Sequence, residues 1–413
     1  MGALWHGFAD MGAVERDGEL VIARGEGTHV WDASGTRYLD ATAGLWFTNV
    51  GHGRAEIADA VAQQIRRIAA YSTFGDYTLD VTVRLAERLA AIAPVPGSKI
   101  FFTSGGSDSV DTAAKLARRY WHETGQPHKQ ILIGRQKAYH GMHYAGTALA
   151  GIAPNREGYG ELVPDSATVA WDSGKSLAET IERLGAGNVA AFFCEPVIGA
   201  GGVYPPPEGY LAEVRAICRD NDVLFVADEV VTGFGRIGGA WFASARFGLA
   251  PDIMTTAKGL TSGYQPMGAV FVAPTVAEPF FRPDAGVWWR HGYTYGGHGA
   301  AAAGAMANLD IIEREDLLAE GSRLEATLHR TLARLAEHPF VEEVRSGTGA
   351  VAAVQLGDPA QAPALAKRLR SHGVATRAVG AGGIQVSPAL VMTDDEVGVL
   401  TEAIEAALEA SAS

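Results

Sequence analysis

Lys258 and Asp228 lie thirty positions apart, and each follows an apolar, strand-like run. The lysine comes after Asp252-Ile253-Met254-Thr255-Thr256-Ala257, and the acid after Val223-Leu224-Phe225-Val226-Ala227. A buried carboxylate needs a partner. The bland partner is an arginine such as Arg236. The chemical one is the protonated nitrogen of a pyridine ring. Lys258 sits between the small residues Ala257 and Gly259, where burial is costly unless the amine is paired or covalently used. An amine that condenses with an aldehyde, and an acid that keeps a ring nitrogen protonated, are the groups pyridoxal phosphate chemistry requires.

Other segments supply what such a site would need. Thr103-Ser104-Gly105-Gly106-Ser107-Asp108 joins a strand to a helix. Gly105 and Gly106 let backbone N–H groups approach an anion, and Ser107 adds a hydroxyl, so the loop reads as a phosphate cup. It is neither a dinucleotide fingerprint nor a P-loop. The bland alternative is an ordinary helix start capped by Ser104 or Ser107. In Tyr139-His140-Gly141, Tyr139 is a ring that can stack on a heterocycle, while His140 alone reads as structural. Val230 can lie on the opposite ring face. Glu195 follows the apolar run Val189–Cys194. Arg377 precedes the glycine-rich Gly380–Gly383 segment and suits bidentate grip of a carboxylate on a mobile loop, or else is a surface arginine. Thr294 lies in the polar, aromatic loop His291–His298. Trp46, Trp288 and Trp289 are either core residues or walls of an apolar substrate pocket.

The elements that must position these groups can be read from periodicity. From residue 98 strands and helices alternate, which implies a mostly parallel sheet covered by helices. Ligands of such sheets sit beyond the carboxyl ends of the strands, where Ser104, Glu195 and Asp228 should converge. Short strands occupy 18–40, with a hairpin signal at Asp32-Ala33-Ser34-Gly35. Beyond 300 a helical stretch leads to short strands and helices, a smaller α+β unit. The expected division is an N-terminal segment 1–50 contributing to that unit, a large cofactor-binding domain 51–299, and a small domain 300–413.

Composition excludes several classes. Charge is −13 with no basic block, which argues against nucleic acid or an anionic membrane surface as partner. Cys194 and Cys218 form no metal or redox motif and fit a reducing cytoplasm. No secretory leader or bilayer-spanning run is visible.

Taken together, Thr103–Thr112, Tyr139-His140-Gly141, Glu195–Gly202, Asp228–Arg236, Ala257–Gly263, Arg290–His298 and Ser387-Pro388-Ala389-Leu390 resemble the class III aminotransferases, or ω-transaminases. The amine:pyruvate and β-alanine:pyruvate subgroup is the most similar. The resemblance implies fold type I and pyridoxal 5'-phosphate. It assigns the Schiff base to Lys258 and the pyridinium partner to Asp228. Tyr139 and Val230 flank the ring, and Gly105, Gly106 and Ser107 take the phosphate. His140 and Glu195 lie near the cofactor, and Arg377 takes a carboxylate. Thr294 reaches the cofactor phosphate of a neighbouring subunit, so the unit is a homodimer, alone or within a tetramer. The implied reaction moves an amino group from an amine to a keto acid such as pyruvate. An aminomutase or racemase would use the same Lys258 and Asp228 without a separate acceptor. A catalytically silent binding protein on this fold is the alternative outside enzymology.

Overall fold

The computed structural model describes residues 2–411. Strands β1 (Ile22–Glu26), β2 (His29–Asp32) and β3 (Arg37–Asp40) pair antiparallel near the N-terminus. The expected turn closes the second hairpin: the Asp32 carboxylate accepts the backbone N–H groups of Ser34 and Thr36, each at 2.9 Å.

The large sheet contains β4 (Lys99–Thr103), β5 (Ile131–Arg135), β6 (Ser166–Val169), β7 (Val189–Cys194), β8 (Leu224–Asp228), β9 (Ile253–Thr256) and β10 (Gly268–Val272). Their order is β4-β10-β9-β8-β7-β5-β6. Strands β5 to β9 pair in parallel, and β10 runs antiparallel between β9 and β4. Because β10 opposes both neighbours, β4 points the same way as β9. The carboxyl ends of β4, β5, β7, β8 and β9 therefore share one edge. The short β6, Ser-Ala-Thr-Val, is an edge strand that the sequence pattern does not announce.

Every residue of β7, β8, β9 and β10 is buried, as expected for strands covered on both faces. Alternation splits them between two cores. Phe192, Phe225 and Met254 face one, and Phe193, Val226 and Ile253 face the other. The helix Gly106–Glu123 buries Val110, Ala113, Ala114 and Ala117 in the second core, which fixes its N-terminus beside the ends of β8 and β9.

Strands β11 (Val341–Arg345), β12 (Ala352–Leu356), β13 (Val374–Ala375), β14 (Ala378–Val379) and β15 (Gly383–Val386) complete the set. Four of them form the sheet β11-β12-β15-β14. The fifth, β13, leaves it and pairs parallel with β3, Val374 opposite Leu39 and Ala375 opposite Asp40. The N-terminal strands thus share a sheet with the C-terminal part of the chain. The last helix, Asp394–Glu409, starts at a reciprocal cap between Thr393 and Glu396. Among the described residues no helix is long and apolar enough to cross a membrane.

Candidate active site

Five strand ends and one helix start enclose a cavity of about 120 Å³ lined by Gly106, Ser107, Val110, Tyr139, His140, Gly141, Glu195, Asp228, Val230, Val231 and Lys258. Larger hollows exist. One of about 1050 Å³ runs past Phe74, Tyr77, Trp288 and Trp289, but it is open and no comparable set of reactive groups converges there.

Asp228 ends β8 and is 3% exposed. One carboxylate oxygen accepts the hydroxyl of Thr255 at 3.0 Å and the N–H of Val230 at 3.1 Å. The other accepts Nδ1 of His140 at 2.7 Å, which assigns the proton to that ring nitrogen because a carboxylate only accepts. The register of β8 on β9 sets Thr255 directly beside Asp228. Arg236 is not the partner. It is buried elsewhere, donating to the carbonyl of Ala350 at 3.1 Å and to Asn49 Oδ1 at 2.6 Å. Among the described residues no lysine or arginine hydrogen-bonds Asp228, which three donors fix in position. His140 stands behind it, with its Nε2 buried and, among the described residues, unpartnered.

Lys258 follows β9 on a left-handed residue, φ 45°, that turns its half-buried side chain into the cavity. Burial lowers its pKa from the ordinary lysine value. The carboxylates of Asp228 and Glu195 oppose that shift, and Arg377 adds to it. The neutral, nucleophilic amine is thereby favoured.

Glu195 follows β7 and is 3% exposed, accepting the N–H of Tyr139 at 2.9 Å and of Gly199 at 3.0 Å. Burial raises its pKa. Its backbone carbonyl takes a guanidinium N–H of the buried Arg135. The neighbouring acid Glu229 is structural: it accepts the N–H of Ala243 at 2.8 Å and the hydroxyl of Thr232 at 2.7 Å.

The helix Gly106–Glu123 begins at Gly105 with no side-chain cap, so neither Ser104 nor Ser107 plays the ordinary capping role. Its first N–H groups are thus available to an anion. A Cβ on Gly106 would stand 2.8 Å from Val230, and one on Gly141 would stand 2.5 Å from Ser107 Oγ. Both glycines keep the cradle open at its tightest points. These features fit pyridoxal phosphate: an uncapped helix start for the phosphate, a fixed buried acid for the ring nitrogen, and a low-pKa lysine for the aldehyde.

The remaining residues lie at the margins. Tyr139 lines the cavity, and Phe8 meets its ring edge-on at 6.3 Å. Phe8 gave no signal in the sequence, because its contact spans more than a hundred residues. Arg377, between β13 and β14, is close enough to act electrostatically on both Tyr139 and Lys258. Trp46 is 2% exposed and stands one layer behind the cavity, in an apolar cluster with Val379 against which Val231 packs. Trp288, 68% exposed, and the half-buried Trp289 lie along the large open hollow, not in the cavity. Thr294 is exposed and does not line its own chain's cavity.

Comparison with known proteins places nearly the whole chain in one family. The family model "Aminotransferase class-III" matches residues 11–408. A putrescine–pyruvate aminotransferase of Pseudomonas aeruginosa is 38% identical, over 98% of this chain and 94% of its own. A β-alanine–pyruvate aminotransferase of the same organism is 35% identical, over 98% and 95%. Among solved structures, an (S)-enantioselective ω-transaminase from Thermomicrobium roseum superposes with TM-score 0.94 at 39% identity, covering 98% of this chain and 96% of that one. An amine transaminase from an uncultivated Pseudomonas species, in its pyridoxal-phosphate-bound form, gives 0.93 at 37% identity, covering 99% of both. With the uncapped helix, the fixed acid and the inward-turned lysine in one cavity, these matches establish that the chain belongs to the class III aminotransferases, fold type I enzymes dependent on pyridoxal phosphate.

Proposed function

We propose that this enzyme moves an amino group from a primary amine, diamine or ω-amino acid to a keto acid such as pyruvate, in two half-reactions of a ping-pong cycle. (S)-amines are the chiral donors expected. The observation that carries this reading is the pairing of one cavity, holding Lys258 and Asp228, with a cation at its margin, Arg377, that has no carboxylate partner among the described residues. Bound pyridoxal phosphate supplies the electron sink that stabilises charge at the substrate carbon. Asp228 would hold the ring nitrogen protonated, and Tyr139 and Val230 would flank the ring. The N–H groups at Gly105, Gly106 and Ser107, with the Ser107 hydroxyl, take the phosphate. Lys258 Nζ, whose neutral form burial favours, would lift the proton from the amine-bearing carbon and pass it on. Glu195 and His140 fix the neighbours of these groups, and Arg377 binds the keto acid's carboxylate. Trp46 backs the apolar wall against which a bulky donor rests.

A homodimer completes the site, alone or within a tetramer. Exposed Thr294 would reach the partner's phosphate, and the large exposed aromatics Tyr71, Phe74, Tyr77, Trp288 and Tyr295 give the surface such an interface needs. The functional domains are residues 51–299 around the cofactor and 300–413, with 1–50 joining the latter. Two buried free thiols, Cys194 and Cys218, suit the reducing cytoplasm.

A panel of amine donors with pyruvate, reading alanine formed, tests the reaction. Lys258→Ala is expected to abolish turnover, and retained turnover would sink the mechanism. An enzyme that isomerises or racemises an amine and makes no alanine from pyruvate would instead be an aminomutase or racemase.

A further inference from the structure

Gln385, in the middle of β15, is fully buried, and its side-chain amide is used at both ends. Its Oε1 accepts Nε of Arg377 at 2.7 Å. Its Nε2 donates to Ser387 Oγ at 2.6 Å. Ser387 in turn donates to the carbonyl of Thr42 at 3.4 Å, and its own N–H bonds the carbonyl of Ala41 at 2.7 Å. The backbone is tied down as well. The Gln385 N–H donates to the carbonyl of Arg377 at 3.1 Å, and its carbonyl accepts the Thr376 hydroxyl at 2.6 Å. A fully buried glutamine with both side-chain ends used is a rigid bracket.

The bracket engages the guanidinium at Nε alone. Among the described residues this is the one hydrogen bond the Arg377 side chain makes. The two terminal nitrogens, the fork that grips a carboxylate bidentately, stay free. A neutral acceptor at Nε orients that fork without neutralising it; an acid there would compete with substrate.

We propose that Gln385 is the positioning residue that presents Arg377 to the carboxylate of the keto acid, and so sets the preference for acidic over uncharged acceptors. This rests on the reading of Arg377 as the carboxylate site. Gln385→Glu places a carboxylate against the guanidinium with almost no change in shape. Gln385→Met keeps the volume and removes the acceptor.

The test compares kcat/KM for pyruvate with kcat/KM for an uncharged aldehyde, using one amine donor, in the wild type, Arg377→Ala, Gln385→Glu and Gln385→Met holoenzymes. The pyruvate-to-aldehyde ratio is expected to fall about tenfold in Gln385→Glu, through the KM for pyruvate, and about threefold in Gln385→Met. A merely structural role lowers both rates together and leaves the ratio in place; that result overturns the proposal, as does an unchanged ratio in both variants when Arg377→Ala lowers it. An unchanged ratio in Arg377→Ala overturns the carboxylate reading itself, and that arm tells the two failures apart. Should Gln385→Glu fail to fold, Gln385→Met carries the same decision.

Discussion

Two charged groups serve the cavity, Asp228 in its lining and Arg377 at its margin, and they are held in opposite ways. On the floor, Asp228 is fixed by three hydrogen bonds from three separate segments and lies beneath the sheet edge. At the rim, Arg377 is held at one nitrogen by one glutamine. Under the proposed reaction the floor would keep one partner throughout, the protonated ring nitrogen of the cofactor. On the same proposal the rim would meet a ligand that changes between half-reactions, a keto acid in one and an amine donor in the other. Tight fixation serves the constant partner, and light, directional fixation serves the changing one.

The sharpest way to break this comparison is at the floor. Asp228→Asn keeps an oxygen for Thr255 and Val230 but removes the charge that balances a protonated ring. A preorganised charge of this kind contributes about 10²–10³ in kcat, so the loss should be of that order, with KM for the donor changing far less. Steady-state kinetics on the holoenzyme measure it. A loss below tenfold would show that the buried carboxylate is structural.

The rim can be loosened through its backbone. The sequence reads Gly380–Gly383 as a mobile segment, but the structure shows a tight hairpin turn between β14 and β15. Gly380 has φ 54°, and a Cβ there would collide with the carbonyl oxygen of Gly201. Its N–H bonds the carbonyl of Ala200 at 3.2 Å. Gly373 has φ 75° with nothing within 4 Å of a Cβ. Gly380→Ala should therefore cost about 2–4 kcal/mol, and Gly373→Ala about 1 kcal/mol from backbone conformation alone. Denaturant unfolding of the two variants tests the difference, and equal costs would mean that the turn is as free as its composition suggests.

The composition of that turn shows where sequence reading stops. Glycine content reports permitted backbone angles, not what packs against the chain, so a mobile loop and a close-packed turn look alike. Trp46 poses the same problem, since an aromatic at a strand-to-helix junction reads equally as core or pocket, and it lies one layer behind the cavity wall. Local signals fared better. Lys258, Asp228, Glu195 and the Gly105–Ser107 loop each follow an apolar run, and the parallel topology brings every such end to one edge. The partners of these residues were not legible. Thr255 touches Asp228 because of the β8–β9 register, and His140 reaches it from 88 positions away. Gln385 lies on a buried strand, where a polar side chain is a signal in itself, yet nothing local says that it faces Arg377.

Floor and rim also act on one common group with opposite sign. Burial lowers the Lys258 pKa; Asp228 and then Glu195 push it back up, and Arg377 pushes it further down. The neutral amine attacks an aldehyde, so the apoprotein should react fastest above the midpoint, which lies below the ordinary lysine value. Its rate should fall as the pH drops through that midpoint. Removing a negative charge withdraws support from the ammonium, so Asp228→Asn and, less strongly, Glu195→Gln move the midpoint further down. Arg377→Ala removes a repelling positive charge and moves it up, by the smallest amount of the three. Borohydride trapping of the aldehyde adduct across pH, read as mass gained at Lys258, measures all four proteins. If the arginine and carboxylate variants shift the midpoint in the same direction, floor and rim do not act on the lysine with opposite sign.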